Sequence, residues 1–172
     1  MDQTTLKEFT EKYGTRYTAD EMRNKAIAKE ISKALVNIPS LNECTAISVI
    51  SACNIITELE LTINDKLDYA QLLPIKNQCE LYITSKGVMQ ILSRYKEVKA
   101  ITLFKYGQGK ESGTGATIEL FNGYQKTLKQ SNQEIKKEID ANKQREMKYF
   151  SFEDMAKKHV LIKLVEQTPL FS

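Results

Sequence analysis

Residues 69–106 read YAQLLPIKNQCELYITSKGVMQILSRYKEVKAITLFKY. The pattern is strand, turn, strand, helix, strand. Tyr69 to Ile75 and Gln78 to Thr84 form two strands, with Lys76 and Asn77 between them at the spacing of a two-residue hairpin turn. In the second strand Cys79, Leu81 and Ile83 alternate with Glu80, Tyr82 and Thr84, the period of a half-buried strand. Pro74 has no amide proton to give to a ladder, so the first strand is expected at an edge or in irregular pairing. Ser85 reads as the cap of a helix carrying Val88, Met89, Ile91, Leu92 and Tyr95. Lys86 falls in its first turn, where the helix dipole disfavours a cation unless an anion compensates it. Glu97 to Tyr106 reads as a longer strand.

The same stretch concentrates positive charge. Residues 71–110 hold Lys76, Lys86, Arg94, Lys96, Lys99, Lys105 and Lys110 against Glu80 and Glu97, a local charge of +5. The whole chain carries only +3, so the remainder is slightly acidic. A local excess of this kind marks a surface for an anionic partner, or else a solvated lysine face. Tyr69, Tyr82, Tyr95 and Tyr106 interleave with the cations. At these positions they are either partly buried core or rings on which unpaired bases stack.

Toward the N-terminus, Leu6 to Tyr13 is a short helical piece that Gly14 stops. Thr18 and Glu21 make a capping box, in which hydroxyl and carboxylate satisfy exposed amides reciprocally. The helix after it shows Met22, Ala26, Ile27, Ile31, Ala34, Leu35 and Ile38 near a 3.6-residue period, and Pro39 ends it. A second helix runs from about Thr45 to Leu59. Ile47, Ile50, Cys53, Ile56 and Thr57 follow the helical period, and Val49 and Ile55 widen the apolar face, which predicts a buried helix.

Toward the C-terminus, Gly107 to Gly115 is a Gly/Ser/Thr-rich loop, Thr117 to Phe121 a strand, and Asn122-Gly123 a turn. From Tyr124 to Met147 the chain is helical in propensity but polar nearly all round, with a thin seam of Leu128, Ile135 and Ile139. A helix of that kind is poorly anchored, and is expected as an exposed flap or as a surface covered by a neighbouring subunit. Phe152 to Glu166 is the last helix. The fold class is therefore α+β, with N-terminal helices packed on a small antiparallel sheet and a closing C-terminal helix, in a single domain spanning 1–172.

Composition narrows the function. With 41% apolar and 27% charged residues the chain is globular rather than disordered. No apolar run approaches the ~18 residues of a bilayer span. The opening MDQTTLKEF lacks the basic and apolar regions of a signal peptide, which predicts a cytoplasmic protein. Cys44, Cys53 and Cys79 are odd in number and lack C-x-x-C spacing, and read as small buried residues of a reducing compartment.

Catalytic motifs are sparse. His159 is the sole histidine and has no partner placed by sequence logic. GQGKESGTG does not make a P-loop, because Phe104 stands at the first glycine position and Glu111 at the last. Glu97-Val98-Lys99 is a Glu-x-Lys at a strand start. In a metal-dependent nuclease the acid would hold Mg²⁺ and the lysine would stabilise developing charge, with Asp65 or Asp68 as a second carboxylate. Lys157 and Lys158 follow Met155 on the last helix, pointing about 100° apart.

One order of motifs resembles a known family. LNECTAISVISACNIITELELTIN followed by YAQLLPIKNQCELYITSKGVMQILSRYKEVKAI is similar to the RecT family of phage-type single-strand DNA annealing proteins. The matching positions are Leu41, Cys44, Thr45, Ser48, Leu59, Leu61, Leu72, Pro74, Leu81, Ile83, Lys86 and Gly87. Near the end, Phe152, Met155, Lys157 and Lys158 resemble the family's Met-x-Lys-Lys helix. The likeness covers residues 40–105 and 148–170. Thr84 and Ser85 stand where the family has Gly-Tyr, and the segment between Tyr106 and Phe150 does not match.

The resemblance implies sequence-independent binding of single-stranded DNA and ATP-independent annealing of complementary strands in phage-type homologous recombination. The protein would act as a homo-oligomer, ring or filament, beside a phage exonuclease, without cofactor, metal or catalytic residue. The DNA-binding residues expected on this reading are Lys76, Lys86, Arg94, Lys96, Lys99, Lys105, Lys157 and Lys158. Two alternatives stand beside it: a metal-dependent nuclease using Asp68, Glu97 and Lys99, and a protein-interaction module without DNA binding.

Overall fold

The computed structural model describes residues 21–63, 67–143 and 150–171. The expected helix at Leu6–Tyr13 and the Thr18 end of the capping box lie outside these residues. The fold is α+β, with N-terminal helices, small antiparallel sheets and a C-terminal helix. The chain forms two compact units, one ending at Ile83 and the other starting at Thr84.

In the first unit, α1 (Glu21–Asn37) buries Ile27, Ile31, Ala34 and Leu35 at helical spacing. Pro39 disfavours helical geometry in the residue before it. Ile38 accordingly leaves the helix at φ −130°, and Pro39 opens a short 3₁₀ turn, Pro39–Glu43, that buries Leu41. α2 (Ala46–Glu58) is capped by Thr45, whose hydroxyl accepts from the Ser48 amide. Val49, Ile50, Ala52, Cys53 and Ile56 of α2 are buried. Ile47 and Ile55, counted on the widened apolar face of a buried helix, are not: they remain 63% and 43% exposed. At about 100° per residue both fall on the side away from Cys53.

β1 (Ala70–Ile75) and β2 (Gln78–Ile83) form the expected hairpin, with Ile75 opposite Gln78. Lys76 and Asn77 both have positive φ, 49° and 64°. This is the type I′ geometry that matches strand twist. α2 is stitched to β2 through Ser48, whose Oγ donates to Thr45 O at 2.8 Å and accepts from the Cys79 amide at 2.9 Å. Glu30 is buried but satisfied, accepting from the Thr62 hydroxyl and the Ile63 amide. Cys53 and Cys79 are buried free thiols, and burial pushes both up to about 12.

The second unit begins with α3 (Ser85–Ser93). Its cap is Thr84 rather than Ser85: the Thr84 hydroxyl accepts from the Gly87 amide at 3.1 Å. A three-stranded antiparallel meander follows, in the order β3-β4-β5. Its strands are β3 (Val98–Tyr106), β4 (Gly113–Leu120) and β5 (Gln125–Ser131). Then come α4 (Asn132–Lys143) and α5 (Phe152–Glu166).

Two expectations fail here. Gly113 to Gly115 belongs to β4, not to a loop. The segment expected as one helix from Tyr124 to Met147 is instead a strand, β5, and then a helix, α4, over its described part. The polar sequence QKTLKQS carries no apolar alternation, and the strand shows itself in its burial. Lys126, Leu128 and Gln130 are more buried than Gln125, Thr127 and Lys129, a period of two directly after the Asn122-Gly123 turn.

The core of this unit lies between one face of the meander and the helices. Ala116, Ile118 and Leu120 of β4 and Val98 of β3 meet Ile135 and Ile139 of α4 and Met155, Ala156, Val160, Leu161 and Leu164 of α5. Leu128 packs against this cluster. The seam expected on an exposed flap or under a neighbouring subunit is therefore inside its own unit: Ile135 is 0% exposed and Ile139 3%. We expect Ile135→Ala to lower unfolding free energy by about 2–5 kcal/mol, measured by denaturant melts. The loss should be independent of protein concentration.

Candidate nucleic-acid interface

The eight cations expected to touch DNA fall in different settings. Lys76 is the exposed first residue of the β1–β2 turn. Lys86 is exposed in the first turn of α3. Arg94 caps the C-terminus of α3, Lys96 lies in the turn after it, and Lys99 sits at the bulge where the β3 register shifts between Val98 and Ala100. All three are exposed.

Lys105 and Lys157 converge on one carboxylate, each with Nζ 3.0 Å from Glu153 Oε1. Lys105 first, and then Lys157, hold the Glu153 carboxyl below the ordinary range. Lys158 is half-buried and has a contact of its own. Lys86, Lys96 and Lys99 form no ion pair with another described residue.

The N-terminus of α3 already has its anion. The Ser85 amide and hydroxyl both donate to Asp154 Oδ1, at 3.2 and 2.6 Å. A carboxylate so placed satisfies the helix dipole beside Lys86. Lys86 is thereby an outward-facing cation and not one end of a helix-terminal phosphate site.

The outer face of the meander, opposite its core, carries a feature that the sequence reading missed. Register places Phe104, Gly115 and Lys129 in one row across the three strands, and Tyr106, Gly113 and Ser131 in the next. The ring ends of Phe104 and Tyr106 lie across the two glycines. A Cβ on Gly115 would come 2.3 Å from Phe104 Cζ, and one on Gly113 would come 2.2 Å from Tyr106 Cζ. The ring centroids are 6.5 Å apart, and Lys129 Nζ stands 5.9 Å from the first and 5.4 Å from the second. These are cation–π distances.

The only sequence signal near this row is the Asn-Gly turn that β5 follows. Reading β5 as helix removed Lys129 from the face and left the glycines in a loop. Of the tyrosines weighed for stacking, Tyr82 is buried. Tyr95 makes an edge contact with Phe171 at 5.1 Å, and Tyr106 alone of the four lies on this sheet face.

The nuclease alternative gains no geometry. Asp65 lies outside the described residues, and Asp68 accepts from Gln71 Nε2 at 2.8 Å. Among the described residues no group of three His, Cys, Asp or Glu could hold a metal ion. His159 is engaged by Glu138, which also accepts from Lys163 at 2.9 Å; Lys163 first, then His159, lowers the Glu138 pKa. No described helix is long and apolar enough to cross a membrane. The chain matches no protein-family model, and no curated protein matches it significantly.

The two glycines should respond differently to a methyl group. At Gly115 the three nearest atoms all belong to the Phe104 ring, a side chain that can rotate away. At Gly113 the Gln130 carbonyl oxygen also lies 2.5 Å from the added Cβ, and backbone cannot yield as a ring does. Gly113→Ala is expected to cost about 1–3 kcal/mol, and Gly115→Ala clearly less, in paired thermal melts.

Proposed function

We propose that this protein binds single-stranded DNA without sequence preference and anneals complementary strands without a nucleotide cofactor. On this reading it acts in the cytoplasm as a homo-oligomer in phage-type recombination, beside a phage exonuclease. The motif order of residues 40–105 and 148–170 supports annealing. The structural observation that carries DNA binding is the set of cations Lys86, Lys96 and Lys99, exposed in α3, in the turn after it and in β3, with no ion pair to another described residue.

Exposed cations without counter-ions grip phosphates by displacing condensed ions, and they read no bases. An extended strand held by its backbone keeps its base edges free. Pairing with a second strand then supplies the driving free energy, so the process needs neither ATP nor a catalytic group. Lys105 and Lys157 share Glu153, whose single negative charge offsets one of their two positive charges. Any subunit contact is made by a surface other than Ile135 and Ile139, which are in the core.

The test is fluorescence annealing of two complementary oligonucleotides, with protein and without nucleotide. Acceleration over the protein-free rate is expected. For binding alone, log K should fall with log salt by about 0.7 per phosphate contacted. Lys86→Ala with Lys96→Ala and Lys99→Ala should reduce that slope by about 2 and leave the melting temperature nearly unchanged. Glu153→Gln frees two cations and should tighten binding at low salt. Binding that ignores both salt and these substitutions would mean that the lysines are a solvated face.

A further inference from the structure

We propose that the outer face of the β3–β4–β5 meander is a stacking platform for the unpaired bases of a single DNA strand, with Phe104 and Tyr106 each receiving one base. This rests on the single-strand reading above and assigns it a base-contacting surface.

Three observations converge. First, the two rings lie over backbone and not over side chains, because β4 presents Gly113 and Gly115 beneath them. The two ring planes are tilted 52° to one another, so the faces they offer point in different directions. Both rings remain half-buried rather than covered, and the helices of this unit pack on the opposite face. Second, the centroid spacing of 6.5 Å is nearly twice the rise of about 3.4 Å per nucleotide in a duplex strand. Bases seated one on each ring are therefore held apart from one another, as in an extended strand. Third, the charge on this part of the face suits a phosphate backbone. Lys129 stands beside both rings, and the neighbouring row is Thr102, Thr117 and Thr127, hydroxyl-bearing throughout. Glu119, the carboxylate that register places on this face, is two rows from Lys129.

On binding, the Lys129 ammonium moves from the rings to a phosphate, and the base takes its place on the π face. Such stacking is indifferent to base identity, because every base has a π face. A strand anchored in this way is held by its bases as well as by its backbone.

The test separates base contact from phosphate contact. A thymidine oligonucleotide is compared with an abasic oligonucleotide of equal length, which has the same phosphates and no bases, at low salt with the unmodified protein. The thymidine strand is expected to bind about 10-fold more tightly or better. Phe104→Leu with Tyr106→Leu should abolish that preference while leaving affinity for the abasic strand unchanged.

A second readout needs no loss of affinity. The chain has no tryptophan, so Tyr106→Trp introduces a sole indole on the platform. Its emission should be quenched by the thymidine strand and not by the abasic one. Equal affinity for the two strands, or an indole blind to both while they bind, overturns the platform and leaves the phosphate grip standing. Absence of binding by either strand at low salt overturns both readings. Discrimination that survives in the double leucine variant places the base contacts elsewhere and also overturns the platform.

Discussion

The second unit depends on β4 being committed on both of its faces. On one side Ala116, Ile118 and Leu120 enter the core with α4 and α5. On the other, the strand gives up side chains at Gly113 and Gly115 so that rings from β3 can lie across it. Burying apolar side chains on the first face drives the helices down. Omitting side chains on the second costs backbone entropy, because glycine is the residue with most freedom to lose. The meander recovers that cost through ring packing over the bare backbone and through pairing to neighbours on both sides, including the Thr117–Thr127 hydroxyl contact at 2.8 Å.

Much of the fold could be read from periodicity. The helices at Glu21–Asn37 and Ala46–Glu58, the β1–β2 hairpin and the closing helix all lie where apolar spacing and Pro39 put them. The failure at Tyr124–Met147 has a specific cause. Gln, Lys and Ser in QKTLKQS are neutral between states, so composition favoured the helical continuation into Asn132–Lys143. Tertiary pairing with β4 decided the matter. The same error propagated outward: with β5 lost, Ile135 and Ile139 looked too few to anchor anything, although β4 and α5 supply the other half of their core.

The site divides differently. Basic residues are visible in any sequence, but the sequence does not say which of them are already paired. Glu153 claims Lys105 from β3 and Lys157 from α5, a partnership spanning 48 residues in one case and four in the other. The Phe104–Gly115–Lys129 row is invisible until strand register is known, since its members are neighbours only across the ladder.

The order of the elements also has a consequence for how the unit assembles in time. The meander is complete at Ser131, whereas α5, which brings Met155, Ala156, Val160, Leu161 and Leu164 to the core, runs from Phe152 to Glu166. On a translating ribosome, at roughly 5–20 residues per second, the apolar face of β4 waits about 2–7 s for the helix that covers it. During that interval the hairpins can pair locally, because each strand follows its partner in sequence, but the sheet has only one finished surface. A nascent chain of this kind is most exposed to off-pathway association just before α5 emerges.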